Sequence, residues 1–282
     1  MSTPEPGDSL PPVEQPPLAP AEVLAPPKPT PSSAAGRIQY LDSLRYVFSH
    51  PEWFKNLLIF SVFTLIPVLN SVLVCGYLYH IVEHRHRRLV GPYPLFQIRG
   101  FAAYMTRGIW CFFLSSIVGV IIAPMIQVLT QGTMFGSMAA MQSGDWGAIV
   151  VAVIVPLVII GFLLFLLGLQ VLITPFMLRG GLSQDFGLMM NFRWIGHYLQ
   201  TMWLETTLVC LFVLLSMLVI APLGCLVFCY GFFVAMAFMT MVQAHLHCQL
   251  YELFLARGGE PIPLRPLLAD VPPVIQSSSP TP

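Results

Sequence analysis

The sequence predicts an all-α fold: a polytopic transmembrane bundle of six helices set between two disordered, proline-rich tails. Three observations predict it. Of 282 residues, 56% are hydrophobic and only 9% are charged, whereas a soluble domain carries about 25% charged residues. The mean hydropathy is +0.76. Several uncharged runs reach the roughly 20 residues that a helix needs to cross a bilayer. So few charges cannot build a water-facing surface, so lipid is the expected solvent for most of the chain.

Residues 1–36 are rich in Pro, Ala, Ser and Glu and hold no aromatic residue. Such a segment buries too little surface to offset its ordering entropy, and it is expected to be an extended tail. Its Pro17-Leu-Ala-Pro20 fits a PxxP pattern that chance explains in so proline-rich a stretch. Residues 258–282 read the same way. The domain between them, 37–257, holds the bundle. The first apolar run begins after Lys55, too deep for a cleaved signal peptide, so the first membrane helix is expected to act as its own insertion signal.

The spans are expected at about 51–66, 68–84, 109–130, 147–174, 203–221 and 223–247. The last two come from one run, uncharged but for Glu205 at its start and too long for a single crossing. Ala221-Pro222-Leu223-Gly224 divides it, a combination that forms turns. The first two share a run interrupted at Pro67-Val-Leu-Asn-Ser71, and charge decides how that run is divided. Lys and Arg concentrate on the cytoplasmic side of membrane proteins. Arg85, Arg87, Arg88, Arg99 and Arg107 fall in 83–108, and Arg179 and Arg193 in 175–203. Segment 131–146 and the Pro222 turn carry neither Lys nor Arg. Arg37, Arg45 and Lys55 precede the first run, which is therefore expected to enter and leave on the same side through an outer turn at Pro67. Both termini are then cytoplasmic. A five-helix alternative keeps 56–82 as one kinked span and puts the N-terminus outside. Polar-aromatic segments precede the first and last hairpins, Tyr40 to Trp53 and Phe186 to Trp203. They suit the interface, with Leu41, Leu44, Tyr46, Val47 and Phe48 on the apolar side of the first.

Formal net charge is zero, so no global field argues for nucleic acid or acidic partners. Catalytic signatures are lacking: there is no phosphate loop, nucleophile elbow or HExxH. No Asp, Glu, Lys or Arg falls in the middle of an expected span, which argues against an ion-coupled transporter of the usual kind. The six cysteines sit in or beside apolar runs and read as small hydrophobes, with Cys225 and Cys229 on one helix face. His80 and His84 share a face at metal-ligand spacing, and His245 and His247 lie near another helix end. Interaction with helix dipoles and headgroups is the plainer reading of both groups, so neither a metal nor a cofactor is expected. Arg85, Arg87 and Arg88 form a juxtamembrane cluster expected to contact lipid headgroups, anionic ones included. Pro67, Pro222 and Gly224 are expected turn positions. Gly76 is expected to let a neighbouring helix approach, and Tyr77 to pack its ring while its hydroxyl stays wet. Gly132-Thr-Met-Phe-Gly136 is expected to bend an outer loop.

Three stretches carry a family likeness: His50-Pro-Glu-Trp53 before an apolar helix; Ile66-Pro67, Gly76-Tyr77, basic residues and Pro94; and His245-Leu-His-Cys-Gln249-Leu-Tyr251. Together they span about residues 40–255. The chain resembles the uncharacterised prokaryotic membrane-protein family known as domain of unknown function 4013. The resemblance implies a multi-helix membrane architecture, in a prokaryotic inner membrane, and supplies no activity, cofactor or catalytic residue. Family members often place acidic and aromatic residues after the proline equivalent to Pro94, where this chain has Leu95-Phe96-Gln97. The expected function is a noncatalytic scaffold or assembly component that meets lipid and other membrane proteins. The alternative is a carrier or permease component for a lipid or small apolar solute. A cavity lined by Asn70, Gln127, Gln170 and Gln243 would favour the alternative.

Overall fold

The computed structural model describes residues 37–264 except Arg88, Val90, Ser143 and Val227. Of Pro67–Leu69, Met141, Asp145, Trp146, Ala148, Val150, Phe228 and Cys229 it describes the backbone alone. The expectations for tail residues 1–36 and 265–282 fall outside this range. The described residues form eight α-helices and no strand: α1 Tyr40–Tyr46, α2 Trp53–Phe63, α3 Pro67–His86, α4 Phe101–Gln142, α5 Asp145–Ser183, α6 Phe186–Met189, α7 Phe192–Leu226 and α8 Phe228–Ala256. Short 3-10 turns at Val47–Ser49 and Ile98–Gly100 complete the chain.

Four of these helices, α4, α5, α7 and α8, are long and apolar enough to cross a membrane. Side chains such as Ile117, Val128, Phe135, Leu157, Leu164 and Leu218 point away from the protein, which an apolar solvent permits and water does not. α3 has the length of a span, but its last turns carry Glu83 and Arg85. The 11 residues of α2 reach only about 16 Å, shorter than the expected span 51–66.

Both expected turns are displaced. In the first hairpin the chain reverses at Thr64–Ile66, and Pro67 is the first residue of α3. A proline fits there because the first turn of a helix has no partner for its N–H groups. In the last hairpin Pro222 and Gly224 lie inside α7, which continues to Leu226. A helix in lipid tolerates such a proline when neighbouring helices re-satisfy the backbone. Gly224 serves a different purpose: a Cβ on it would overlap the backbone of Gly231 on α8, and the reverse holds for Gly231. The two glycines let the ends of α7 and α8 touch.

The expected outer loop 131–146 is also corrected. α4 runs unbroken through Gly132 and Gly136, so these glycines bend nothing. The segment is rich in Met and Ala and holds no proline, so the helix has no reason to stop. The reversal falls at Gly144, whose φ of 74° and ψ of −154° suit glycine alone. At 42 and 39 residues, α4 and α5 reach about 63 and 58 Å. They project as an apolar hairpin past the turns that join α2 to α3 and α7 to α8.

The core lies toward the other end, where α8 is the central element. Its buried face, from Met239 through Val242, Leu246 and Leu250 to Phe254, is surrounded by α1, α2, α3 and α7. The pre-bundle segment is more deeply packed than an interfacial helix: Ser43, Tyr46 and Val47 are buried, while Leu41 and Phe48 are exposed. Tyr46 and Tyr93 tie it to the 91–97 loop, each hydroxyl donating to a carbonyl beside the other residue, Pro92 and Val47, at 2.7 Å. Burial pushes the Tyr93 hydroxyl up to about 12, so it remains a donor. Beyond α8 the chain folds back. Ile262 is buried and its N–H donates to Tyr251 at 2.8 Å, and the Glu260 carbonyl accepts from Trp194 at 2.8 Å. Residues 258–264 therefore belong to the folded body and not to the expected tail.

Candidate ligand cavity and its buried polar floor

Two features lie in the bundle. One is a cavity of about 400 Å³ between α3, α4, α5 and α8. The helix period builds it. α3 offers Val74, Cys75, Leu78 and Tyr79 from one face, and α5 offers Gln170, Ile173, Thr174 and Met177 at intervals of three and four. From α4 come Ser115, Gly119, Ile122 and Ile126 among others, and from α8 Gln243 and His247. Gln170 and Gln243 are two of the four residues expected to line such a space. Asn70 lies at the start of α3, off the lining, and Gln127 points outward.

Among the described residues no charged side chain lines the cavity. Several of its polar groups are already committed to their own helices: Ser115 donates to the Cys111 carbonyl and Thr174 to the Gln170 carbonyl, at 2.8 and 2.7 Å. His247 is held loosely. Its Nδ1 lies 3.5 Å from the Tyr79 hydroxyl and its Nε2 3.5 Å from Gln243 Nε2.

The second feature is a layer of buried polar groups around the ends of α3 and α8. Glu83 is 3% exposed and meets Arg107 of α4 at 2.6 Å and Arg87 at 2.8 Å. Arg107 also meets His80 Nδ1 at 2.6 Å. Beside them, Asn56 of α2 donates to the Tyr77 hydroxyl at 2.9 Å and accepts from the Phe96 N–H at 2.6 Å. Tyr77 in turn donates to the Pro94 carbonyl at 2.9 Å. On the α8 side, His245 stacks on Tyr46 at 4.3 Å and meets Ser43 at 2.8 Å.

Two residues of the basic cluster also take part in this layer. Arg87 pairs with Glu83, and Arg85 lies 5.5 Å over the Tyr46 ring. Both are partly turned into the protein, because a buried carboxylate and a buried ring offer stronger partners than headgroups in water. Arg88 lies outside the described residues. The Tyr77 hydroxyl, expected to be wet, is dry and doubly bonded. Gly76 and Gly108 permit close approach of backbones: a Cβ on Gly76 would overlap the Tyr104 carbonyl, and one on Gly108 the Val72 carbonyl. α3 and α4 thus cross glycine to backbone in both directions.

The family model described as protein of unknown function (DUF4013) matches residues 59–230. The chain belongs to this family. Comparison with curated proteins and with solved structures gives no match. In this DUF4013 protein the matched residues take in all of α3–α7 and three walls of the cavity. The fourth wall, Gln243 and His247 of α8, lies beyond them. So do His50–Trp53 and His245–Tyr251, two of the stretches on which the resemblance was drawn. The fold nonetheless brings all three stretches together: His50 lies against Tyr93 at 5.3 Å, and His86 of the basic segment lies against Tyr251 at 5.0 Å.

Sequence reasoning missed Glu83, Asn56 and Arg179 as buried groups and Arg107 as a largely buried one. Arg179 is 3% exposed, donates from Nε to the Leu188 carbonyl at 2.5 Å and stacks 4.9 Å from the Trp194 ring. Glu83 and Arg107 fall just at the edges of the apolar runs, where a solvated headgroup position was the natural reading. A signal was present: Glu83 is the only acidic residue among five arginines in 83–108.

Proposed function

We propose that this DUF4013 protein is a multi-pass membrane protein whose bundle binds a lipid or small apolar solute, as a carrier or permease component. The cavity between α3, α4, α5 and α8 carries the reading. Its volume falls within the range of small-molecule sites, and such sites favour an apolar lining with a few placed polar groups. Both glutamines on α5 and α8 face it. The proposed orientation sets the Arg-bearing ends of α3, α4, α5 and α8 in the cytoplasm with both termini, and the Gly144 tip outside. In this orientation α2 and α3 form a short outer hairpin, which local bilayer thinning accommodates.

The test is lipid content. Protein extracted gently and analysed by native mass spectrometry should retain a bound lipid or apolar solute in about one-to-one ratio, as a single cavity of this size holds one occupant. Filling the cavity with Gly119→Phe should remove it, since a Cβ at Gly119 meets nothing within 4 Å. Equal retention by the filled variant would overturn the reading.

A scaffold role is the second reading, and the apolar hairpin of α4 and α5 favours it. That hairpin extends beyond its neighbours with Val128, Met134, Phe135 and Val153 uncovered. Recovery of the same membrane protein with wild type, and its loss when Phe135 and Val153 are changed to Ser, would support it.

A further inference from the structure

We infer that the cavity takes an uncharged amphiphile, seated with a hydroxyl or carbonyl head against Tyr79, Gln243 and His247 and its hydrocarbon tail along α4 toward Ile126. This inference rests on the cavity being a binding site, and it adds the class and direction of the occupant.

Charge excludes the ionic alternatives. A phosphate or carboxylate head would leave water for a space that no Lys or Arg lines, and an unpaired buried charge is among the least favourable arrangements in a protein. An ammonium head would find no Asp or Glu there either. The arginines of the adjoining layer are engaged elsewhere: Arg107 with Glu83 and His80, Arg87 with Glu83, Arg85 with Tyr46.

The polar groups define where the head sits. His247 is 4% exposed, yet both its ring nitrogens have partners only at 3.5 Å. In either neutral tautomer one nitrogen donates and the other accepts. A hydroxyl can answer both roles, and a carbonyl can accept from the donor. Gln170 of α5 lies farther from the basic end than Thr174 and Met177, so it faces the cavity away from this head site.

The direction follows from the order of residues along the helices. α8 approaches the basic end from Gln243 to His247, and α3 approaches it from Val74 to Tyr79. α4 leaves that end, so Ile122, Ala123 and Ile126 line the far side with hydrocarbon. Apart from Gln170, the cavity is thus polar where the charges of the protein gather and apolar where the bundle opens into the α4–α5 hairpin.

The experiment uses full-length protein in nanodiscs and a monopalmitoylglycerol carrying a diazirine in its tail. Peptide mapping should place the label on α4 between Ser115 and Ile126 or on the facing α5 residues. Unlabelled monopalmitoylglycerol should displace it about tenfold better than palmitoyl lysophosphatidate, a difference reached by one buried charge without a partner. Gln243→Leu with His247→Leu should lower labelling at subsaturating probe about tenfold, as lost head contacts dictate. Ala123→Phe should abolish labelling while leaving thermal unfolding unchanged, and Gly119→Phe serves the same end should the first variant fold poorly. Equal competition by the lysophosphatidate, or labelling unaltered in the double variant, would overturn the uncharged-head inference and leave the cavity as a binding site. Absence of label from the cavity in wild type, or labelling untouched by a filled cavity in a folded variant, would overturn the binding reading itself.

Discussion

Glu83 on α3 and Arg107 on α4 form a 2.6 Å ion pair with both side chains almost entirely inside the protein. The pair joins two helices that also meet through Gly76 and Gly108. Removing one member leaves the other buried without its charge partner. Glu83→Gln should therefore destabilise the bundle by about 3–5 kcal/mol, as broken buried pairs do. Adding Arg107→Met should recover part of that loss, because Arg87 and His80 then no longer face an orphaned guanidinium. Thermal or denaturant unfolding in detergent, arranged as a double-mutant cycle, measures both. Additive losses would show that the two residues act independently.

Gly76 and Gly132 should respond in opposite ways to the same change. Gly76→Ala puts a methyl group into the Tyr104 carbonyl, and overpacking of this kind costs about 1–3 kcal/mol. Gly132 lies on open helix surface with nothing within 4 Å of an added Cβ, so Gly132→Ala should be neutral or stabilising by up to about 1 kcal/mol through helix propensity. Unfolding midpoints of the two variants, measured side by side, check the contrast.

Tyr77→Phe keeps the ring and removes one oxygen. That oxygen donates to Pro94 and accepts from Asn56, so its loss strands a half-buried carbonyl and leaves the buried amide with one partner fewer. The expected cost is about 1–3 kcal/mol. Hydrogen exchange adds a specific readout: the Phe96 amide, held by Asn56 at 2.6 Å, should exchange faster in the variant. Unchanged protection there would separate Tyr77 from the 91–97 loop.

Sidedness is open to thiol labelling in a background whose native cysteines are replaced. Ser32→Cys should react only from the cytoplasmic side, and Gln142→Cys, exposed beside the hairpin tip, only from the opposite side. Reaction of both from one side would overturn the proposed orientation. Reaction of Ser32→Cys from outside would favour the five-span alternative.

The helices and their order were legible because hydrocarbon is a permissive solvent with one strict demand. Every backbone N–H and C=O must be satisfied within the chain, so a long uncharged run becomes a helix whatever its neighbours do. Boundaries were less legible. Pro67 and Pro222 read as turns, yet one begins a helix and the other lies within one. A proline's local preference is outweighed where it sits in a first turn or where an adjoining helix packs against the freed carbonyl. The cavity was half legible, since Gln170 and Gln243 were expected to face a common space and Asn70 and Gln127 were not distinguishable from them by sequence.

Composition and the placement of charge by themselves determined that this chain is an apolar helical bundle with a basic end. They could do so because the transfer of a side chain between water and lipid depends on the residue alone. Which polar groups are buried was decided only by the tertiary structure. Glu83 has Arg87 one turn on but takes its shorter ion pair from an arginine 24 positions away, and Asn56 is satisfied by a loop 40 positions away, so neither burial is written in the residues beside them alone. Where the bundle leaves space was decided in the same way, because a cavity is set by the distance between helices, and glycines such as Gly76, Gly108, Gly224 and Gly231 fix that distance only once they face one another.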